Sequence, residues 1–366
     1  YNRMKILVGM SHPAHFHLFH HTMEILKRDN HTVSVVITPK DVLEDLLKAS
    51  DINYIRLTER YDYSGFTGKL AKLVHSSVKL DRLVRDYQPD LMIGSFTQMA
   101  WVGRIRKIPS FFFGEDDITY TFLQSLITYP FIKHIVAPLE TKVGIFNYKT
   151  IAYNGTQKLA CLHPNVFVPD ASRIPGVDVN HPFSIIRMVN LNAYHDVARK
   201  GLNSDILRRI IQKAETIGPV YISSEKDLPE EFKNYRLPVA VSDIHHALAF
   251  ATLFIGDSQS MTVESAVLGT PALKFNDFAG KISILNMLEN NYGLTFGFKS
   301  SEAAALLKKM DELIATTDLK SVFANRRNKM LQDTIDVSAF FAWLVGNYPQ
   351  SISMIKENPD YQYKFR

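Results

Sequence analysis

The feature that most constrains this chain is an alternation of strand and helix signals that fills its first half, breaks at a proline-rich stretch, and then starts again. Short apolar runs at 5–10, 32–37, 54–57, 90–95, 110–113 and 132–137 read as strands, and the segments 16–29, 40–49, 69–85 and 97–106 carry helical periodicity. Unbroken apolar runs are what strands covered on both faces look like, and helices between them imply parallel βαβ units in a Rossmann-like sheet. Around Pro164, Pro169, Pro175, Gly176 and Pro182 the breakers are too dense for an element, so this stretch reads as a linker. Strand signals return at 183–189, 219–223, 239–241, 253–256 and 272–275, with helices at 205–217, 245–251, 261–268, 301–316 and over the region 319–344.

A chain of 366 residues exceeds one ordinary core. The expected organisation is α/β: an N-terminal Rossmann-like domain over 1–164, a linker over 165–182, a C-terminal Rossmann-like domain over 183–345, and a tail over 346–366. Two such sheets joined by a linker are expected to face each other across a cleft, with ligands at the C-terminal ends of the strands.

Composition narrows the setting. Cys161 is the single cysteine, which excludes a disulfide framework and a multi-cysteine metal site and fits a reducing compartment. No apolar run reaches the roughly 20 residues needed to cross a bilayer. Met4 reads as an initiator followed at once by the strand-like KILVG, without the pattern of a signal peptide, so the expected location is cytoplasmic. The net charge of +5 is partly carried by Lys69, Lys72, Lys79, Arg82 and Arg85 on a periodic segment whose Leu70, Leu73, Val74, Leu80, Leu83 and Val84 form the expected buried face. Such a helix can rest peripherally on the anionic inner face of a plasma membrane, or simply present a solvated flank. No nucleic-acid-binding module is visible, and no nucleic-acid partner is expected.

The most informative segment is LFIGDSQSMTVESAVLGTPALKF, residues 253–275. An apolar strand runs into Gly256-Asp257-Ser258-Gln259-Ser260 and then directly into a helix. Small side chains let a ligand approach the backbone, and the free N–H groups and positive end of the helix attract an anion. Ser258, Ser260 and Thr262 add hydroxyls. Glu264, one turn inside, is suited to sugar hydroxyls rather than phosphate. The alternative reading is an ordinary capped helix.

Asp257-Ser258, Glu264 and Leu268-Gly269-Thr270-Pro271 resemble, without a gap, the segment of bacterial UDP-N-acetylglucosamine 2-epimerases that runs Asp-Ser-Gly-Gly, a second Glu, then Leu-Gly-Lys-Pro. Gln259 and Ser260 stand where that family has its glycine pair. The resemblance implies that the turn binds the diphosphate and that Glu264 binds the ribose, with Ser258, Ser260, Met261 and Thr262 nearby. At the chain start, Gly9-Met10-Ser11-His12-Pro13-Ala14-His15-Phe16-His17 matches the loop at which GT-B glycosyltransferases often carry a histidine base. His15 takes that place, with His17 the alternative; imidazole is the group whose ordinary pKa lies nearest neutrality. Together with Asn154-Gly155-Thr156-Gln157-Lys158-Leu159-Ala160, these segments resemble a family of uncharacterised prokaryotic GT-B-like proteins often associated with surface-polysaccharide genes; Phe340–Tyr348 before Pro349 resembles the terminal helices of GT-B enzymes, which implies that the tail over 346–366 packs back on the first domain. His12, His15, His17, His20 and His21 also raise a metal site, but no HExxH is present and no carboxylate is expected at ligand spacing, so no metal and no cofactor is expected.

Three weaker candidates complete the reading. Gly114-Glu115-Asp116-Asp117 follows a strand; the epimerases carry a catalytic Glu at a comparable point, which nominates Glu115 and then Asp116, against an acid-rich helix start. Arg187, before the loop 190–195, can pair a phosphate or serve a structural ion pair. Asp243 and His245 precede the helix before the nucleotide strand and can face base or sugar, or Asp243 can cap that helix. The leading expectation is a metal-independent glycosyltransferase with a His15 base, a UDP-linked sugar donor and a sugar or glycolipid acceptor, acting in surface-polysaccharide or glycoconjugate synthesis. The alternatives are a 2-epimerase-like enzyme using Glu115 or Asp116, and a non-catalytic sugar-nucleotide binder.

Overall fold

A computed structural model describes residues 3–40, 42–58, 65–189, 204–224 and 227–366. The chain divides into two compact units, one formed by residues 1–166 with 334–366 and the other by 167–333.

The first unit is built from β1 (Lys5–Met10), α1 (Pro13–Arg28), β2 (Thr32–Ile37), α2 (Leu43–Ala49), β3 (Tyr54–Arg56), α3 (Gly65–Tyr87), β4 (Leu91–Gly94), α4 (Thr97–Arg106), β5 (Ser110–Phe113), α5 (Phe122–Thr128), β6 (His134–Pro138), β7 (Thr150–Tyr153) and α6 (Leu159–Leu162). Its strands pair in parallel in the order β3-β2-β1-β4-β5-β6-β7. The order reverses between β1 and β4, where Gly9 pairs Gly94. A Cβ on Gly9 would stand 2.1 Å from the Phe96 ring and 2.7 Å from Met99 Sδ, so both strands carry glycine where α4 leans on the sheet.

The second unit comprises β8 (Ser184–Met188), α7 (Ser204–Ala214), β9 (Val220–Ser224), α8 (Ile244–Phe250), β10 (Leu253–Gly256), α9 (Gln259–Leu268), β11 (Ala272–Phe275), α10 (Ser283–Asn290), β12 (Thr295–Phe298), α11 (Ala303–Ile314) and α12 (Leu319–Asp333). This sheet is parallel in the order β12-β11-β10-β8-β9, with its reversal between β8 and β10. The expected strand at 239–241 is absent. Parallel bridging occurs earlier, at Arg236 beside Ile222, and Pro238 has no N–H to extend it, so the chain turns into a 3₁₀ turn at Val241–Asp243. The proline-rich stretch is anchored to this unit: Ile174 and Val177 are buried, the Asp170 N–H donates to His246 Nδ1 (2.9 Å), and Phe167 lies 4.9 Å from the His246 ring.

After α12 the chain rejoins the first unit at Thr334 rather than after residue 345. Asp336 caps α13 (Val337–Gly346), its Oδ1 accepting from the Ala339 N–H (3.0 Å) and the Ser338 hydroxyl (2.9 Å). This helix, VSAFFAWLVG, is apolar on every side and therefore belongs in a core. Phe340 and Phe341 are fully buried, and Phe341 meets Phe113 edge-on at 4.7 Å and Tyr153 at 5.1 Å. α14 (Gln350–Glu357) follows it.

α3 departs from the expected buried face. Leu80 and Val84 are buried, but Leu70 and Val74 are about half exposed (49% and 51%). The reason is length: 23 helical residues span about 34 Å, whereas the four residues of β4 span about 13 Å, so the first turns of α3 extend past the sheet.

Candidate functional site

In the second unit the strand β10 ends at Gly256 on the order reversal, where a parallel sheet opens a crevice for ligands. Asp257 stabilises the bend: its Oδ1 accepts from the Val189 N–H (2.9 Å) and its carbonyl from Asn276 Nδ2 (2.9 Å). Ser258 is the N-cap of α9, its hydroxyl accepting from the Met261 N–H at 3.3 Å. Ser260 is exposed in the first turn, and no described residue engages its N–H or hydroxyl, leaving it available to an anion. Thr262 is different. Its side chain is fully buried and donates back to the Ser258 carbonyl at 2.6 Å, so the hydroxyl expected to face a ligand holds the helix start instead. Met261 is also buried. Gly269 ends α9 at φ +86, a conformation that glycine adopts without strain, and the Thr270 hydroxyl donates to the Leu248 carbonyl at 2.6 Å.

Glu264 is buried on α9, with Oε2 3.4 Å from His245 Nε2 of α8. The two candidates, 19 positions apart in sequence, thus meet. His245 packs edge-on to Phe167 at 6.2 Å. Asp243 makes no side-chain cap on α8 and pairs instead with the Arg173 guanidinium. Arg187 Nη1 donates to the Ser223 hydroxyl at 3.0 Å. The loop 190–195 lies outside the described residues.

The register adds a residue that sequence reasoning missed. Ser223, Arg187, Gly256, Lys274 and Gly297 are paired across successive strands, and in-register neighbours of a parallel sheet share a face. Lys274 is 1% exposed, and its Nζ has no hydrogen-bond partner among the described residues. Burial pulls its pKa down to about 8, against the opposing pull of the Asp257 carboxylate. A lysine inside the otherwise apolar ALKF strand was the available signal. Because the folded pKa lies below the ordinary value of 10.5, the cost of burying the charge is fully present below pH 8 and vanishes as pH rises to 10.5. Lys274→Met should therefore be more stable than the parent by ~3 kcal/mol at neutral pH. That gap should close by pH 10.5 in denaturant unfolding curves, and a pH-independent gap would assign the gain to packing alone.

In the first unit β5 delivers Glu115. Its Oε1 accepts from the Gln157 N–H at 2.8 Å, its carbonyl from the Thr141 hydroxyl at 3.0 Å, and the Thr156 hydroxyl also bonds its carboxylate. Two segments singled out separately, 114–117 and 154–160, are thereby joined. Desolvation raises the Glu115 pKa, with Asp116 contributing in the same direction, against the opposing effects of Lys158, the Gln157 amide and Thr156. Asp116 is exposed, and the buried Asp117 accepts from the Lys142 N–H at 2.8 Å. No helix begins at these acids, since α5 starts at Phe122.

His15 lies in the first turn of α1, after β1. Its Nδ1 accepts from the Ser11 N–H at 3.1 Å, and burial first, then His12 and Lys40, lower its pKa to about 3. With Nδ1 accepting, the neutral ring carries its proton on Nε2 and presents it as a hydrogen-bond donor. His12 caps the helix through Nδ1, accepting from the Ala14 N–H at 3.1 Å. His17 packs edge-on to Phe16 at 5.4 Å. Against expectation, a carboxylate does follow the histidines at ligand spacing: His20, His21 and Glu24 bring their ligand atoms within 4.8 Å of one another. Helical neighbours three and four apart do so automatically, and Glu24 pairs with both rings (3.6 and 2.9 Å).

Comparison with known proteins bears on the architecture. No family model and no curated protein matches the sequence. Among solved structures, UDP-GlcNAc 2-epimerase from Neisseria meningitidis bound to UDP-GlcNAc is similar at 13% identity, covering 97% of this chain and 100% of that one, with a TM-score of 0.66. The S. aureus MnaA–UDP structure is similar at 14% identity over 96% of this chain and 98% of its own, with a TM-score of 0.70. The spinosyn forosaminyltransferase SpnP is similar at 14% identity over 97% and 100%, with a TM-score of 0.64. These likenesses establish the fold, which is GT-B, and related it is by fold to both 2-epimerases and glycosyltransferases.

Proposed function

We propose that this chain is a glycosyltransferase that uses a UDP-linked sugar, with Glu115 rather than His15 as the acid–base group. The observation that carries this reading is the desolvated Glu115 carboxylate at the end of β5, whose raised pKa makes it a stronger base than an ordinary carboxylate. Transfer to an acceptor hydroxyl needs one such base. Of the acids beside it, Asp116 is exposed and Asp117 is committed to the Lys142 amide, while Ser95, the residue after β4, donates its hydroxyl to the Phe113 carbonyl at 2.7 Å. His15 is then a neutral Nε2–H donor suited to orienting an acceptor oxygen. In the second unit the first turn of α9, where Ser260 is exposed, suits a leaving diphosphate, with Arg187 on the sheet row that passes through Gly256, and the Glu264–His245 pair suits ribose hydroxyls. No step in this scheme is routed through a metal or cofactor. The pathway, surface-polysaccharide or glycoconjugate synthesis, and peripheral contact with an anionic membrane through α3 belong to the same reading; its exposed Leu70, Val74 and Val78 beside Lys72 support the membrane contact.

The likeness to a 2-epimerase bound to UDP-GlcNAc favours one second reading, epimerisation with Glu115 abstracting the C2 proton. Incubation with UDP-GlcNAc alone in D₂O separates the two by NMR. The expected result is an unchanged sugar whose C2 proton is retained, with UDP released only when an acceptor sugar is added. Deuterium at C2 or appearance of the 2-epimer without acceptor would replace transfer by epimerisation.

A further inference from the structure

A cavity of about 660 Å³ in the first unit lies at the opposite strand ends from Glu115. Its wall includes Ser110 and His134, the first residues of β5 and β6, and Lys149, the residue before β7. Arg104 and Lys107 enter from the end of α4, Lys133 from the loop before β6, and Lys356 from α14. No Asp or Glu lines it. Lys149 is held by the carbonyls of Tyr129 (2.9 Å), Pro130 (2.9 Å) and Ile132 (3.1 Å), where it closes the end of α5. Arg104, Lys107, Lys133 and Lys356 are exposed and meet no carboxylate among the described residues.

Four unpaired cations and a tethered fifth around one cavity repel each other, and a structure retains such a cluster at a cost that a bound anion offsets. A second observation points to a ligand. His134 is 7% exposed, and its Nδ1 has no hydrogen-bond partner among the described residues. A buried unsatisfied polar atom is expensive, and the ring that carries it lines a basic pocket. Tyr348 stands 6.2 Å from the His134 ring, and the exposed Phe131 and Tyr148 add aromatic surface for a planar group. The cavity volume falls in the range of small-molecule sites.

We infer that this pocket binds a multiply charged phosphorylated small molecule, with Arg104, Lys107, Lys133 and Lys356 taking its phosphates and His134 hydrogen-bonding one phosphate oxygen. The site is separate from the donor site proposed on α9 and does not depend on that reading. Burial, then Lys356, Lys133 and Lys149, lower the His134 pKa to about 4, so the ring is neutral near pH 7 and a polyanion beside it would raise its proton affinity.

Inorganic pyrophosphate is the probe, and the His134 ring resonance of the ¹³C/¹⁵N-histidine-labelled full chain is the readout, assigned with His134→Gln. Pyrophosphate should shift that resonance saturably and raise the pH at which it titrates. The double variant Arg104→Glu/Lys356→Glu, which replaces only exposed residues, should weaken this response about tenfold or more. A His134 signal that moves equally in sodium chloride of matched ionic strength, or with equal affinity in the double variant, overturns the proposal. A shift abolished by Glu264→Ala would also overturn it, by placing the anion on α9 instead.

Discussion

Glu115→Gln is expected to lower sugar transfer by about 10²–10⁴-fold while leaving UDP affinity close to that of the parent. The amide keeps the shape of the side chain and can still accept from the Gln157 N–H and the Thr156 hydroxyl, so the contact between β5 and the turn before α6 survives. What it loses is the ability to take up a proton. The pH profile makes the same assignment. Since desolvation raises the Glu115 pKa, activity should fall on the acid side with a midpoint above that of an ordinary glutamate, and this limb should vanish in the variant. His15→Gln should leave the acid limb in place, because a ring with a pKa of about 3 stays neutral throughout that range. Turnover in Glu115→Gln equal to the parent, or an acid limb that follows His15, removes Glu115 from the reaction.

Glu264→Ala is expected to weaken UDP binding by about 10- to 100-fold, the worth of a charge-assisted hydrogen-bond pair to ribose hydroxyls at ~1.5–3 kcal/mol. Its carboxylate is buried beside His245, so alanine also leaves that ring facing an emptied position. Two companions separate recognition from damage. Glu264→Gln preserves shape and should still lose most of the affinity, and the thermal unfolding of both variants without ligand reports what the fold has lost. Calorimetric titration with UDP checks the outcome. Unchanged affinity in Glu264→Ala would remove the nucleotide from this part of α9.

Much of the candidate site in the second unit was legible because it is local. Ser258, Glu264 and Gly269 lie on one strand–turn–helix, where capping, helical spacing and a left-handed C-terminal residue are set by neighbours in sequence. Thr262 shows the limit of that reasoning. Its hydroxyl looks like a ligand donor in a list of residues, but four-residue spacing returns it to the Ser258 carbonyl. β7 and β12 escaped notice for a related reason: TIAY and TFGF are four-residue strands whose apolar content is diluted by Thr, Ala and Gly.

Two parallel α/β sheets, and a small-residue turn leading into a helix after β10, follow from period, breakers and caps, which are properties of adjacent residues. Only the tertiary structure decided which distant groups meet. It brought Glu115 to an amide 42 positions away, fixed the His15 proton through the Ser11 N–H, and placed α13 with the first unit. It also gathered Arg104, Lys133, His134 and Lys356 around one cavity. Such pairings follow from how helices and strands pack over each other, and the energies that select them belong to burial and desolvation, which no stretch of sequence carries alone.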